Sequence, residues 1–304
     1  MPRQYHFIAG LPRSGATLLA AILRQNPRFH AAMTSPLGRL FDTMIDQVSA
    51  GREIAPLVQH AQRERLLKGL FDAYYADLPD SVEVVFDTNR GWTACLPSLV
   101  PLFSGAKVLC CVRDMAWVMD SLERQYRANV FENTALFRNA AERGTVYTRL
   151  DALAGADRPV GFAYNALREA CYGEEAERLL LIDYAHLTHQ PAGVLALIYR
   201  FLGEQPFPHD FENVAFDAET FDATLGLPGL HRVKPKVAPQ PRETVLPPDL
   251  FQRFARQTFW HDLQGSRAHV IAAADSAAPA PVQSGAASTT VGVPEGAGVP
   301  KGTA

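Results

Sequence analysis

Four short segments of the chain are apolar at consecutive positions rather than at alternate ones. They are rich in Val, Ile, Leu, Phe and Cys and cover residues 5–10, 82–87, 106–112 and 178–183. Such runs are typical of strands that are buried on both faces of a parallel sheet. We therefore predict four parallel strands.

Hydrophobic residues recur at helical spacing between these segments. Residues 17–25 carry Leu18, Leu19, Ile22 and Leu23, and residues 192–202 repeat the pattern. Strands that alternate with helices predict an α/β fold, in which helices flank a parallel sheet through right-handed crossovers. We expect one domain over residues 1–271.

Residues 272–304 differ from the rest of the chain in composition. They are mostly Ala, Pro, Gly, Ser, Thr and Val, with few large side chains. Such a segment buries too little apolar surface to offset the entropy lost on ordering, so we predict a disordered tail.

Composition and charge restrict the class of protein. The 304 residues carry a net charge of -3, which argues against a general nucleic-acid binder, so any anion site must be local. The chain contains no apolar run of membrane-spanning length and does not begin with a signal-peptide pattern, so we expect a cytoplasmic protein. The four cysteines lie in apolar surroundings without metal-ligand spacing, and we expect them to be reduced.

Polar residues follow each predicted strand directly. Ligands of parallel α/β sheets bind outside the carboxyl ends of the strands, so these residues are the first candidates for a site. They are the stretch LPRSGAT after the first strand, Asp87-Thr88-Asn89-Arg90 after the second, Arg113-Asp114 after the third and Tyr184 after the fourth.

The stretch GLPRSGAT has most of the features of a phosphate-binding loop. Gly10, Gly15 and Thr17 fit the P-loop spacing, but Ala16 stands where a P-loop has lysine, and Arg13 is the cation of the loop. Backbone N–H groups at the start of the helix after Gly15 are suited to an anion whatever the side chains are. The displaced charge does not suit a nucleoside triphosphatase, which uses the lysine and Mg²⁺.

PRSGAT after a strand resembles the phosphosulfate-binding loop of sulfotransferases that use 3'-phosphoadenosine 5'-phosphosulfate (PAPS), and its arginine is similar to that of the tyrosylprotein sulfotransferase-like branch. The resemblance implies a parallel sheet of the P-loop-kinase type and a nucleotide contact by Arg13, Ser14, Gly15, Ala16 and Thr17. A strand-to-helix turn without ligand and a degenerate P-loop kinase are the alternatives for this motif.

KVLCCVRDMAWVMDS, residues 107–121, resembles the family's 3'-phosphate motif. Arg113 and Ser121 have its spacing, and a guanidinium with a hydroxyl can bind a doubly charged phosphate through charge-assisted and neutral hydrogen bonds. Relatives carry a further basic residue near Gln125, so Arg124 or Arg127 would have to substitute for it.

Two later stretches also resemble the family. Tyr184 matches a tyrosine that contacts the adenine side of the nucleotide, although a tyrosine that only caps the strand is an alternative. LPGLHRVKPK, residues 227–236, is similar to the loop that closes over the nucleotide, which implies contacts from its basic residues His231, Arg232, Lys234 and Lys236.

The resemblance also suggests catalytic roles. Arg13 would stabilise the charge that grows on the 5'-phosphate, and Arg90 would face the transferred group, by analogy with phosphoryl transfer. Asp87 is the first candidate for the base, because it combines a carboxylate with the carboxyl edge of the sheet. His30 and Glu132 are the other candidates.

These expectations combine into one function. The protein would transfer a sulfuryl group from PAPS, without a metal, to the hydroxyl of a phenol, a peptide tyrosine or a small metabolite, and a lipid or a sugar is an equal alternative as acceptor. Residues 38–79 and 131–158 would form the acceptor wall. A P-loop nucleotide kinase-like enzyme and a non-catalytic nucleotide-binding protein are the competing hypotheses.

Overall fold

Six strands form one parallel sheet in the order β2-β3-β1-β4-β5-β6. The computed structural model describes residues 3–131 and 136–271, so the tail predicted over 272–304 lies outside the described residues. The strands are β1 (Gln4–Gly10), β2 (Phe29–Ala31), β3 (Val84–Thr88), β4 (Val108–Val112), β5 (Leu179–Asp183) and β6 (His269–Ile271).

The described residues also form twelve α-helices, which flank this sheet and connect its strands. They are α1 (Ala16–Leu23), α2 (Leu37–Val48), α3 (His60–Tyr74), α4 (Leu96–Leu102), α5 (Met115–Ala128), α6 (Ala140–Arg143), α7 (Val146–Ala154), α8 (Pro159–Tyr172), α9 (Tyr184–His189), α10 (Pro191–Leu202), α11 (Glu219–Thr224) and α12 (Pro248–Ala255). Over 3–131 and 136–271, none of these helices is both long enough and apolar enough to span a membrane.

The predicted α/β fold with a parallel sheet is confirmed. The four predicted strands correspond to β1, β3, β4 and β5, whereas β2 and β6 were not predicted. These two strands have three residues each and lie at the two edges of the sheet, and three residues are too few to show a pattern.

The continuous apolar runs arise because both faces of the sheet are covered. Phe7 and Cys110 belong to one hydrophobic cluster, and Ile8 and Cys111 belong to another on the opposite face. Successive side chains of a strand point to opposite faces, so a strand between two layers of helices needs apolar residues at every position. The adjacent cysteines therefore lie on opposite faces, as predicted, and both are free thiols.

The order of the strands brings the carboxyl ends of β1 and β4 together. The chain leaves β1 towards β2 on one side of the sheet and later returns to β4 on the other side of β1. Gly10 pairs with Cys111, and a Cβ on Gly10 would lie 2.1 Å from the carbonyl oxygen of Cys111, so only glycine fits there. This is the position at which open parallel sheets form ligand crevices.

Candidate active site

A cavity of about 850 Å³ opens at the carboxyl edge of the sheet. The loops after β1, β3 and β4, the first residue of α9 and a late segment of the chain line it. We call that late segment, residues 225–242, the covering loop. Of the residues proposed from the sequence, the cavity is lined by Arg13, Gly15, Ala16, Thr17, Arg90, Arg113, Ser121, Tyr184, His231, Arg232, Lys234 and Lys236.

The loop after β1 exposes backbone N–H groups at the start of α1. Gly15 is the N-cap of this helix, with a left-handed φ of 99°, and it provides no side-chain cap. The first N–H groups of a helix have no partner within the helix, and together with the helix dipole they bind anions. Ala16 and Thr17 follow on the same cavity wall, so the loop offers an anion site without a lysine.

Arg13 is held in a conformation that is unusual for a residue with a side chain. Its φ is 61°, in the left-handed region, and such strain persists only where the surrounding structure enforces it. Its Nε donates to Oγ of Ser121 at 3.0 Å, and its Nη1 donates to the carbonyl oxygen of Leu230. Burial, followed by repulsion from Arg113, lowers the pKa of Arg13 to about 10. Arg13 therefore joins three elements of the cavity.

Arg113 lies beside Arg13 at the end of β4. Its Nη1 donates to the carbonyl oxygen of Arg13 at 3.4 Å, and its guanidinium stacks 4.4 Å above the ring of Tyr184. Burial lowers the pKa of Arg113. Tyr184 also packs over Gly15, where a Cβ would lie 2.7 Å from ring carbon Cδ2. Tyr184 thus connects the anion loop with the second arginine.

Ser14 is the exception within the predicted loop. It is 1% exposed and does not line the cavity, and its hydroxyl faces the carbonyl oxygens of Leu11 at 2.5 Å and Cys111 at 2.8 Å. The predicted nucleotide contact by the Ser14 side chain is therefore wrong. The hydroxyl has a structural role instead, because it fixes the loop on β4.

Asp87 does not suit the role of base that its position in the sequence suggested. Its carboxylate is fully buried and does not line the cavity; it accepts hydrogen bonds from Tyr75 Oη at 2.6 Å and Trp92 Nε1 at 2.8 Å. Burial raises the pKa of Asp87, and its hydrogen bonds oppose this shift. The alternation of side chains along β3 turns Asp87 towards these two aromatic residues and away from the ligand edge.

His30, the second candidate base, does not line the cavity either. His30 packs edge-on against Tyr75, with ring centroids 5.4 Å apart, and burial lowers the pKa of His30. Glu132 lies outside the described residues. Arg90, in contrast, is exposed to the solvent of the cavity while surrounding protein atoms lower its pKa.

The covering loop brings basic side chains over the cavity, and most of them have partners. His231 pairs with the buried Asp222 at 2.5 Å, Lys234 donates to Gln240, and Lys236 pairs with Glu212 at 2.8 Å on the exposed surface. Arg232 lines the cavity as an exposed residue. The contact of His231 thus ties the loop to Asp222 of α11, and that of Lys236 ties it to Glu212.

Arg242 is a cavity residue that the sequence did not indicate. It pairs with the fully buried Asp120 of α5 at 2.8 Å, and the same carboxylate accepts Nε of Arg124 at 2.9 Å. Arg127 pairs with Glu123 at 2.7 Å. Neither Arg124 nor Arg127 lines the cavity, whereas Arg242 does. In the sequence, Arg242 is visible only as a single basic residue in a proline-containing stretch.

The balance of charge in the cavity is strongly positive. No Asp or Glu is found among its lining residues within the described parts of the chain, whereas Arg13, Arg90 and Arg113 all line it. Guanidinium groups bind tetrahedral oxyanions through two parallel hydrogen bonds, and they do so most strongly where water is excluded. The cavity is therefore suited to a ligand with more than one anionic group.

Apolar side chains form another part of the cavity wall. Leu122 of α5, Leu153 of α7 and Pro159 of α8 contribute to it, together with Leu136 and several leucines of the covering loop. The predicted acceptor segment 131–158 thus reaches the cavity. The other predicted segment, 38–79, supplies no lining residue, because α2 and α3 pack on the core instead.

Comparison with known proteins identifies the family. A sulfotransferase family model matches residues 6–209, which is more than half of the chain. Among solved structures, the sulfotransferase domain of the Synechococcus PCC 7002 olefin synthase is 18% identical, covers 86% of this chain and 96% of that domain, and has a TM-score of 0.46. A sulfotransferase from Alicyclobacillus acidocaldarius is 15% identical, covers 85% and 94% of the two chains, and has a TM-score of 0.49.

The comparison with curated proteins found no match. The family match spans the anion loop after β1, the strand β3 and the arginine at the end of β4, whereas the covering loop lies beyond it. Because this match covers more than half of the chain, the chain belongs to the sulfotransferase family.

Proposed function

We propose that this protein transfers a sulfuryl group from PAPS to a hydroxyl group of an acceptor with an apolar body. The observation that carries the proposal is the pair of guanidinium groups of Arg13 and Arg113, which lie in one cavity that has no lining carboxylate among the described residues. The donor has anionic groups at two places, on its 5' and 3' oxygens, and this arrangement of charge suits it.

The residues of the cavity fit the donor. The N–H groups at the start of α1, Thr17 and Arg13 would hold the 5'-phosphosulfate, and Arg113 with Ser121 would hold the 3'-phosphate. Tyr184 would contact the adenine side. Gly15 supports this fit because a side chain there would fill the space between the loop and Tyr184.

The chemistry requires charge stabilisation more than bond-making by the protein. PAPS supplies the activated sulfuryl group, and the loop N–H groups with Arg13 stabilise the charge that develops on the leaving phosphate. Arg90 faces the cavity from the end of β3 and would orient the transferred group. The covering loop, with His231, Arg232 and Lys234, would exclude water from the donor.

The apolar wall supports a phenolic or aliphatic hydroxyl acceptor. Leucines and Pro159 surround one part of the cavity, and such a surface binds the body of a phenol, a tyrosine side chain or an apolar metabolite through burial of its carbon atoms. A sugar, which carries hydroxyl groups on every face, would leave several of them without partners at this wall.

Isothermal titration with adenosine 3',5'-bisphosphate in the absence of Mg²⁺ tests donor binding. We expect binding that EDTA does not weaken and that exceeds the affinity for ATP with Mg²⁺. Preference for ATP with Mg²⁺ would favour a kinase-like enzyme instead. A second assay offers labelled PAPS with phenols, tyrosine peptides, alkanols and sugars; binding without transfer to any of them would favour a non-catalytic protein.

A further inference from the structure

Sulfuryl transfer to a hydroxyl needs a group that removes the acceptor proton. Among the described residues that line the cavity, the cationic lysine and arginine side chains do not accept a proton, and no carboxylate is present. Asp87 is sealed in the core. His231 is the imidazole of the cavity wall, and imidazole is the side chain that most often serves as a general base.

His231 forms a dyad with a buried carboxylate. Its Nδ1 lies 2.5 Å from Oδ1 of Asp222, and its backbone N–H donates to Oδ2 of the same residue at 2.8 Å. Asp222 is 2% exposed, and its second oxygen fixes the position of the backbone that carries the ring. Since an ionised carboxylate only accepts hydrogen bonds, the proton of the neutral ring lies on Nδ1.

This tautomer leaves a lone pair on Nε2 of His231. The described residues provide no hydrogen-bond partner for Nε2, and the side chain retains 20% of its exposure while it lines the cavity. Phe221 packs edge-on against the ring, with centroids 5.7 Å apart, and restricts its rotation. The carboxylate therefore orients the imidazole and stabilises the cation that forms when Nε2 takes a proton.

The dyad lies next to Arg13, the residue proposed above to hold the phosphosulfate. Nη1 of Arg13 donates to the carbonyl oxygen of Leu230, the residue that directly precedes His231. Asp222 is close enough to Arg13 to raise the pKa of its guanidinium, against the larger effect of burial. The base and the arginine proposed for the phosphosulfate are thus fixed to each other through one peptide unit.

We propose that His231 is the general base and that Asp222 is its positioning residue; this assignment rests on the proposed sulfotransferase function. As the bond from the acceptor oxygen to sulfur forms, the bond from sulfur to the 5'-phosphate oxygen breaks, and that oxygen keeps the electron pair. The acceptor proton moves to Nε2 of His231. Arg13 and the loop N–H groups stabilise the phosphate, and Asp222 stabilises the imidazolium.

The charges around His231 determine the pH dependence. Asp222 faces the ring from α11, Arg13 approaches from the loop after β1 through Leu230, and Arg232 follows in the covering loop. Because a general base acts in its unprotonated form, we expect turnover to be lower in acid than at neutral pH.

The test compares full-length wild type, His231→Gln and Asp222→Asn, with His189→Gln as the control. His189 lies exposed on α9 and does not line the cavity. Transfer from labelled PAPS to an acceptor found in the panel above is measured as a function of pH, and the Kd for adenosine 3',5'-bisphosphate is measured in parallel. Thermal unfolding verifies that each variant is folded.

We expect His231→Gln to lower kcat about 100-fold or more and to abolish the acid limb of the pH profile, as loss of a general base does. Its Kd for the bisphosphate should change less than about threefold, within the scatter of a surface substitution. Asp222→Asn should lower kcat about tenfold or more and shift the acid limb, because an amide has one acceptor oxygen for the two N–H groups of His231 and does not stabilise the imidazolium. His189→Gln should match the wild type.

Two results would overturn the assignment. One is a folded His231→Gln variant with kcat within about threefold of the wild type or with its acid limb intact. The other is a loss of bisphosphate affinity that accounts for the whole loss of activity, which would make His231 a nucleotide ligand. A wild-type protein that neither binds the bisphosphate nor transfers sulfuryl refutes the proposed function itself, and this inference with it.

Discussion

Replacement of Arg113 by alanine tests the proposed 3'-phosphate contact. The guanidinium has one long hydrogen bond, 3.4 Å to the carbonyl oxygen of Arg13, and a stack on Tyr184, and it forms no ion pair with a carboxylate of the described residues. Its charge is thus available to a ligand. A hydrogen bond that involves a charged group contributes about 1.5–3 kcal/mol, so two such bonds to a phosphate contribute about 3–6 kcal/mol.

Water that enters the space left by Arg113 will solvate part of the phosphate, so we expect the lower end of this range. About 3 kcal/mol corresponds to a roughly 100-fold increase in Kd for adenosine 3',5'-bisphosphate. Adenosine 5'-monophosphate lacks the 3'-phosphate, and its Kd should change by less than about threefold, the size of a minor surface effect.

Isothermal titration of wild type and Arg113→Ala with both nucleotides, at one salt concentration, forms a double-mutant cycle between the side chain and the phosphate. Thermal unfolding serves as the control, because the variant also loses the stack on Tyr184, a contact of about 0.5–1 kcal/mol. An equal loss of affinity for the two nucleotides would refute the reasoning, since Arg113 would then act on the cavity in general and not on the 3'-phosphate.

Three further substitutions test other parts of the account. Arg13→Ala should lower kcat in the labelled-PAPS assay about 1000-fold and weaken bisphosphate binding much less, because its charge acts mainly on the developing oxyanion; equal losses would contradict this role. Asp87→Asn should keep kcat within about threefold and lower the urea-unfolding free energy by about 1–3 kcal/mol, because a buried hydrogen-bond partner is altered; a large loss of kcat alone would restore Asp87 as the base. Burial lowers the pKa of His6 to about 3, so below about pH 6.5 the unfolded chain binds a proton at this residue and the folded chain does not. The unfolding free energy should therefore fall by up to about 1.4 kcal/mol per pH unit as pH decreases from about 6.5 towards 3, and urea unfolding of His6→Gln should lack this component.

The sequence pattern and the geometry of the site point to different residues as the base. Asp87 has the right residue type at the right end of a strand, but its neighbours Tyr75 and Trp92 occupy both carboxylate oxygens. His231 attracted attention only as part of a basic loop. Its partner Asp222 lies nine positions earlier, on a short helix that the sequence did not single out.

The sequence by itself determined the four central strands of the sheet and the loop that follows the first of them. A strand covered on both faces must be apolar at every position, so β1, β3, β4 and β5 are visible as continuous runs. The loop after β1 is equally local, because its glycines and the helix start that follows are neighbours in the chain. Arg13 and Arg113 could be assigned to one edge because parallel strands end on the same side.

Only the tertiary structure decided which polar side chains face the cavity. Packing turned Ser14 and Asp87 inwards, and it brought Arg242 onto the wall through its ion pair with Asp120. Orientation of this kind depends on contacts between residues far apart in the chain, and these contacts leave no period in the sequence. A buried carboxylate needs hydrogen-bond donors, and the fold decides which donors lie near it. Asp87 therefore pairs with two aromatic residues of the core, whereas Asp222 pairs with His231 at the cavity.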